Sequence, residues 1–279
     1  MKLKLIVTII SSLFTIILFS QEKTTTYITE TNIHYYSNTE AKENSYMQDM
    51  CVLDFYYPKN IKKFPTIIWF HGGGLKSGKR EIPEYLKNQG FAIIGVGYRL
   101  SPQVKGVDCI KDAAAAFAWV YNNIDTYGGD KSQIFVSGMS AGGYLTYMIG
   151  LDKKYLAAHD IDANKIAGLI PFSGHTITHF TIREEMGVKG TQPIIDEMAP
   201  LFYVRPNLPP IVIITGDREL EMLGRFEDNA YMMRMLRVAG NKNVKLYELN
   251  GSNHSQMMYP ALPILAREVK AMTKVVTDN

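Results

Sequence analysis

From Met50 onward, short apolar runs bounded by glycine or proline alternate with longer amphipathic stretches, and this alternation constrains the fold more than any other feature of the chain. Runs at 50–57, 66–70, 92–98, 133–137, 168–173, 210–215 and 244–249 read as strands. Several are apolar on consecutive residues, as in Thr66-Ile67-Ile68-Trp69-Phe70 and Ile211-Val212-Ile213-Ile214. A strand with one wet face alternates apolar and polar residues, whereas one that is apolar throughout suits a parallel sheet covered on both faces. Helical patterns at 82–89, 107–127, 141–151, 227–239 and 260–273 stand between the strands. The fourth places Ala230, Met233 and Leu236 at helical spacing and stops at Gly240, which suits a left-handed C-cap. Strands that alternate with helices make parallel βαβ units, so the expected class is α/β, a mostly parallel central sheet with helices on both faces.

One stretch breaks the rhythm. Residues 174–200 hold no clear strand and carry His175, His179, Phe180, Arg183 and Met186. Structureless excursions of that length inside a compact domain usually serve function, so this one reads as a short cap insertion over a site. The chain has 279 residues, enough for one sizeable α/β core, and 21–279 reads as a single domain. Ahead of it, residues 1–20 carry Lys2 and Lys4, an apolar run from Leu5 to Phe19, and Ser20 before Gln21-Glu22-Lys23. That is the pattern of a secretory signal peptide, and the run is shorter than the roughly 20 residues a spanning helix needs. The expected location is secreted or periplasmic, with no stable membrane anchor after processing. Removing the two lysines takes the formal charge from +3 to +1, which gives no basis for a nucleic-acid partner. Cys51, in a strand-like run, and Cys109, near a helix start, read as small buried apolar residues rather than as a disulfide.

Ligand sites in sheets of this kind lie beyond the carboxyl ends of the strands, which narrows the search to the residues just after each run. After 133–137 comes Gly138-Met139-Ser140-Ala141-Gly142-Gly143, a G-x-S-x-G in a strand-to-helix setting. Such a turn holds a serine hydroxyl clear of the sheet while its glycines remove side chains that would collide, so Ser140 is the candidate nucleophile. After 66–70 comes His71-Gly72-Gly73-Gly74. Acyl transfer passes through a tetrahedral oxyanion that needs preorganised N–H donors, and Gly73, Gly74 and Ala141 are assigned to supply them, Ala141 from a helix N-terminus. His71 reads as a hydrogen-bonder that shapes this loop. After 244–249 comes Asn250-Gly251-Ser252-Asn253-His254, which makes His254 the candidate general base. After 211–215 comes Gly216-Asp217-Arg218-Glu219, with two carboxylates either of which could orient the imidazole. Serine, acid and histidine then follow in the chain order this fold requires.

With these motifs in place, the sequence resembles the esterase and lipase branch of the α/β-hydrolase fold, in particular the hormone-sensitive-lipase-like and feruloyl-esterase-like (BD-FAE-like) families. The resemblance runs from about Met50 to the C-terminus. It rests on HGGG at 71–74, GMSAGG at 138–143, Tyr98-Arg99-Leu100-Ser101-Pro102 and Tyr127-Gly128-Gly129-Asp130. It implies a serine carboxylesterase working without metal or organic cofactor on small acyl esters, including acetyl or feruloyl groups on carbohydrates. Its alternatives are an arylformamidase-like amidase and an inactive binding protein on the same scaffold. The chain departs from the pattern at Met139, where histidine or aspartate is common, and in GDRE at the acid loop. Counting three residues on from Gly216, as in those families, selects Glu219 as the acid, with Asp217 as the alternative and as the turn former otherwise. Leu75, Met139, Phe180, Met186, Met222, Met257 and Met258 are candidates to line an acyl pocket.

Overall fold

The apolar runs become neighbours in one eight-stranded sheet of order β1-β2-β4-β3-β5-β6-β7-β8. A computed structural model describes residues 25–37 and 44–277; the signal peptide expected at 1–20 lies outside the described residues. The strands are β1 (Tyr27–His34), β2 (Val52–Pro58), β3 (Phe64–Phe70), β4 (Ala92–Val96), β5 (Gly129–Met139), β6 (Gly168–Phe172), β7 (Ile211–Gly216) and β8 (Val244–Leu249). β2 pairs antiparallel with both β1 and β4, and every other pairing is parallel.

The consecutive apolar residues divide between two cores. Ile68 and Phe70 of β3 join one cluster and Ile67 and Trp69 the other, as the two-residue period of a strand requires. On the first face lie α2 (Gly106–Tyr127), α3 (Ala141–Leu151) and α6 (Arg225–Val238), which contribute Phe117, Leu145 and Leu236 among others. On the second lies α7 (Met258–Thr277), through Leu262, Leu265 and Val269. Short helices α1 (Ser45–Met50), α4 (Lys153–Ala157) and α5 (Phe180–Glu185) complete the set, α5 falling inside the 174–200 excursion.

Two expectations change. The helix expected at 82–89 is only a single 3-10 turn, Glu84–Leu86, because Pro83 before it takes an extended ψ of 123° and Lys87 after it an extended ψ of 153°, with Asn88 then at φ 59°. The edge strand β1 adds a strand that was not expected, ahead of the alternation that starts at Met50. Cys51 and Cys109 are buried and unbonded to one another.

Candidate active site

The order in which the strands are laid down brings the motifs together. β3 lies between β4 and β5, so the chain leaves β3 in one direction to form β4 and returns on the other side to form β5. β3 and β5 pair in parallel with Phe70 opposite Gly138, so the His71–Gly74 loop and the Ser140 turn leave the sheet side by side. A crevice at such a reversal is where open α/β sheets bind ligands.

The glycines of the serine turn are required by contact. A Cβ on Gly142 would stand 2.0 Å from the Phe70 carbonyl oxygen, and one on Gly138 2.5 Å from the same atom. Ser140 itself sits at φ 56° and ψ -110°, a sparsely populated region that costs a non-glycine residue about 1–3 kcal/mol. Its N–H donates to Phe172 O at 2.8 Å and its carbonyl accepts from Tyr144 N at 2.9 Å, so β6 and the first turn of α3 hold the strained residue in place.

Ser140 Oγ lies 2.9 Å from His254 Nε2, and His254 Nδ1 lies 2.5 Å from Glu221 Oε1. The carboxylate can only accept at neutral pH, so Nδ1 carries the proton and Nε2 is left to accept from the serine hydroxyl. The Glu221 side chain is 1% exposed. Burial alone would raise its pKa, but the hydrogen bond and charge of His254, the Ser173 hydroxyl at 2.7 Å and the Met222 N–H at 3.0 Å outweigh it and lower it to about 2.

The carboxylate on His254 is thus Glu221, and the expected acid Glu219 is corrected. Glu219 is exposed and makes no hydrogen bond to the imidazole. The reason is the shape of the turn. Leu220 N and Glu221 N both donate back to Asp217 O, at 3.0 and 2.7 Å, so the chain after Gly216 makes a helix-like turn and returns to the strand end at Glu221, where Oε2 accepts from Gly216 N at 3.2 Å. A count of three residues suits a shorter turn. Asp217, the alternative acid, binds Glu219 N at 2.9 Å and Gly251 N at 2.7 Å and acts as the turn former.

Ser173 was missed, although it stands at the end of β6 by the same rule that singles out Ser140 and His254. It is fully buried, at φ 45°, and its carbonyl accepts from the guanidinium of Arg225, itself fully buried. His71 stacks on Tyr98 with ring centroids 4.3 Å apart, and Nδ1 donates to Gly72 O at 2.7 Å. Burial lowers its pKa to about 4, so it remains neutral as a shaper of the glycine loop.

Gly72, Gly73 and Gly74 line one cleft of about 640 Å3 with Ser140 and His254. Ala141 opens α3 with its N–H among the groups a helix N-terminus leaves without an intrahelical partner. Met139, Phe180, Met222 and Met258 are the apolar residues of the cleft, and Lys76, Ser77 and Glu81 its polar side. The other three pocket candidates lie elsewhere: Leu75 and Met257 are fully buried in the two cores, and Met186 is 53% exposed. Of the 174–200 excursion, then, Phe180 reaches the cleft, while Arg183 is buried away from it. Among the described residues, no group of three or more His, Cys, Asp or Glu side chains is arranged to hold a metal ion.

This sheet order, with its functional residues gathered at the strand ends, defines an α/β-hydrolase. The chain belongs to the BD-FAE family, whose model matches residues 53–221. It is 26% identical over 234 residues to Esterase LipC of Mycobacterium tuberculosis, a match that covers 73% of this chain and 56% of that protein. The chain spans about half, or less, of the length of the curated relatives it matches. Among solved structures, a truncated carbohydrate esterase from gut microbiota superimposes with a TM-score of 0.72 at 19% identity, covering 91% of this chain and 98% of that one. Est2, a thermophilic esterase of Thermogutta terrifontis, gives 0.63 at 25% identity, covering 78% of this chain and 86% of its own.

Proposed function

We propose that the chain is a serine carboxylesterase that hydrolyses small acyl esters through an acyl-enzyme. The observation that carries this reading is the unbroken line of hydrogen bonds from Ser140 Oγ through His254 to Glu221. In the first half-reaction, His254 Nε2 takes the Ser140 proton as Oγ attacks the ester carbonyl. Glu221 holds the ring and stabilises the imidazolium that forms. The tetrahedral oxyanion is held by N–H groups of Gly73, Gly74 and Ala141, the last aided by the α3 dipole. His254 returns the proton to the departing alcohol, and water repeats the sequence to release the acid.

The cleft supports small acyl groups on soluble alcohols, acetyl or feruloyl esters of carbohydrates among them. Met139, Phe180, Met222 and Met258 offer a soft apolar wall to the acyl group, and Lys76, Ser77 and Glu81 offer hydrogen-bonding groups to a hydroxylated alcohol. Kinship with proteins named as esterases favours the same reading. A panel of acetyl, butyryl and feruloyl esters beside formanilides tests it. Ester turnover with kcat/KM well above that for the formanilides is expected; preference for the formanilides would make the chain an amidase.

A further inference from the structure

The backbone N–H groups of Gly73 and Gly74 donate to no other group among the described residues, which leaves both free for an oxyanion. In a trans peptide the N–H points away from the carbonyl of the residue before it, so whatever holds that carbonyl sets the direction of the donor. Gly72 O accepts from His71 Nδ1 at 2.7 Å, which orients the Gly73 N–H. Gly73 O accepts from Lys76 N at 3.1 Å, Ser77 N at 3.0 Å and Ser77 Oγ at 3.1 Å, which orients the Gly74 N–H. All these bonds lie within the loop itself. They set how its peptides are turned and leave open where the loop stands relative to Ser140. Gly73 and Gly74, at φ 113° and 65°, have no side chains with which to anchor it.

The anchor comes from α5, in the 174–200 excursion. Thr181 Oγ1 donates to Gly74 O at 2.5 Å, and the Phe180 ring packs on the same glycine. Glu184 pairs with Lys76, and Glu185 accepts from Ser101 Oγ at 2.9 Å and Gly106 N at 3.0 Å; Ser101 N in turn donates to Leu75 O at 2.8 Å. These contacts are not equal. Lys76 and Glu184 are 47% and 44% exposed, so water screens their pairing. Glu185 reaches the loop only through Ser101. Thr181 is fully buried and bonds the oxyanion loop directly. It is itself held in place, because its N–H donates to Nδ1 of His179 at 3.2 Å. His179 is fully buried, and burial holds its pKa well below the usual imidazole range, so Nδ1 stays an acceptor.

We propose that Thr181 is a positioning residue of the esterase reaction, its hydroxyl holding Gly74 so that the glycine N–H groups meet the oxyanion formed on Ser140; this rests on the serine carboxylesterase reading. Hydrogen bonds to that oxygen strengthen as its charge develops, so a misplaced loop weakens the transition state more than it weakens substrate binding. Loss of a whole oxyanion donor costs about a hundred- to a thousandfold in kcat, and displacing the donors by loosening their anchor costs less.

The experiment compares the parent, Thr181→Val and Thr181→Ser in kcat/KM on 4-nitrophenyl acetate and in inhibition by a trifluoromethyl ketone, per site titrated with a fluorophosphonate. Ser140 Oγ adds to the ketone carbon, the C=O electron pair moves to oxygen and the serine proton passes to His254, so the adduct places an oxyanion where the ester would. Thr181→Val, nearly isosteric, should lower kcat/KM by about ten- to fiftyfold and raise the ketone's Ki by the same factor. The corresponding methyl ketone, which forms no stable adduct, should bind all three alike. Thr181→Ser keeps the hydroxyl and should stay within about threefold of the parent. A merely structural role would lower the melting temperature or the number of titrated sites and leave kcat/KM per site and Ki unchanged. That result, a fall in kcat/KM with no rise in Ki, or equal losses in the serine and valine variants would overturn the assignment. If Thr181→Val does not fold, Glu185→Ala, at an exposed position, decides: a fall of about fivefold in kcat/KM with Ki rising in step supports α5 as the anchor, and unaltered kinetics overturns it. A parent that neither hydrolyses the ester nor takes the fluorophosphonate strikes the esterase reading, and this inference falls with it; a parent that does both, beside an unaltered Thr181→Val, strikes this inference alone.

Discussion

Glu219 and Glu221 leave the same turn, yet one is exposed and the other buried with four donors on it: His254 Nδ1, Ser173 Oγ, Gly216 N and Met222 N. Glu221→Gln should lower kcat by roughly three to four orders of magnitude with KM little changed, because the imidazole loses both its orientation and its counter-charge. Glu219→Gln should stay near the parent. Ser173→Ala should fall between, at about tenfold in kcat, since Oε2 then keeps only Gly216 N. Steady-state kinetics on the three variants tests the ordering. The same carboxylate governs acid behaviour. Its pKa is lowered from 4.5 to about 2, so below about pH 4.5 the unfolded chain takes up the proton more readily than the folded one. The stability Glu221 contributes is complete above that range and is lost as pH falls toward 2. Urea midpoints between pH 3 and 7 should therefore fall more steeply for the parent than for Glu221→Gln.

At the scale of elements, the excursion at 174–200 divides at α5. Phe180 touches the cleft, where a Cβ on Gly74 would come within 3.0 Å of its ring, while Met186 stands outside. Phe180→Ala should shift the ratio of activities on acetyl and longer acyl esters, and Met186→Ala should leave it alone; initial rates on both esters give the answer. Elements fully covered by the core were legible in the sequence, because burial on both faces writes a continuous apolar run, as in β3 and β7. The strand ends placed Ser140 and His254 within the site for the same reason. β1 was not legible: it is an edge strand with exposed residues and an irregularity between Glu30 and Ile33, so its periodicity is broken. The acid escaped because its position depends on how many residues a turn spends before returning, which is a matter of backbone hydrogen bonds to Asp217 O that residue types do not spell out.

For the whole molecule, the sheet does the positioning. Side chains far apart in sequence meet because parallel strands deliver their carboxyl ends to one edge: the glycine loop after β3, Ser140 after β5, Ser173 after β6, Glu221 after β7 and His254 after β8. Two layers of helices back the sheet, packed against it through cores that include Trp69 and Phe70, both fully buried. The central claim is that this edge makes Ser140 a nucleophile, and the most direct measurement is fluorophosphonate labelling read by mass spectrometry of the intact protein and its peptides. One adduct per chain, on the peptide bearing Ser140, is predicted for the parent. Ser140→Ala should lose both the adduct and ester turnover while keeping its melting temperature within a few degrees. An adduct on another residue, or turnover that survives in Ser140→Ala, would contradict the account.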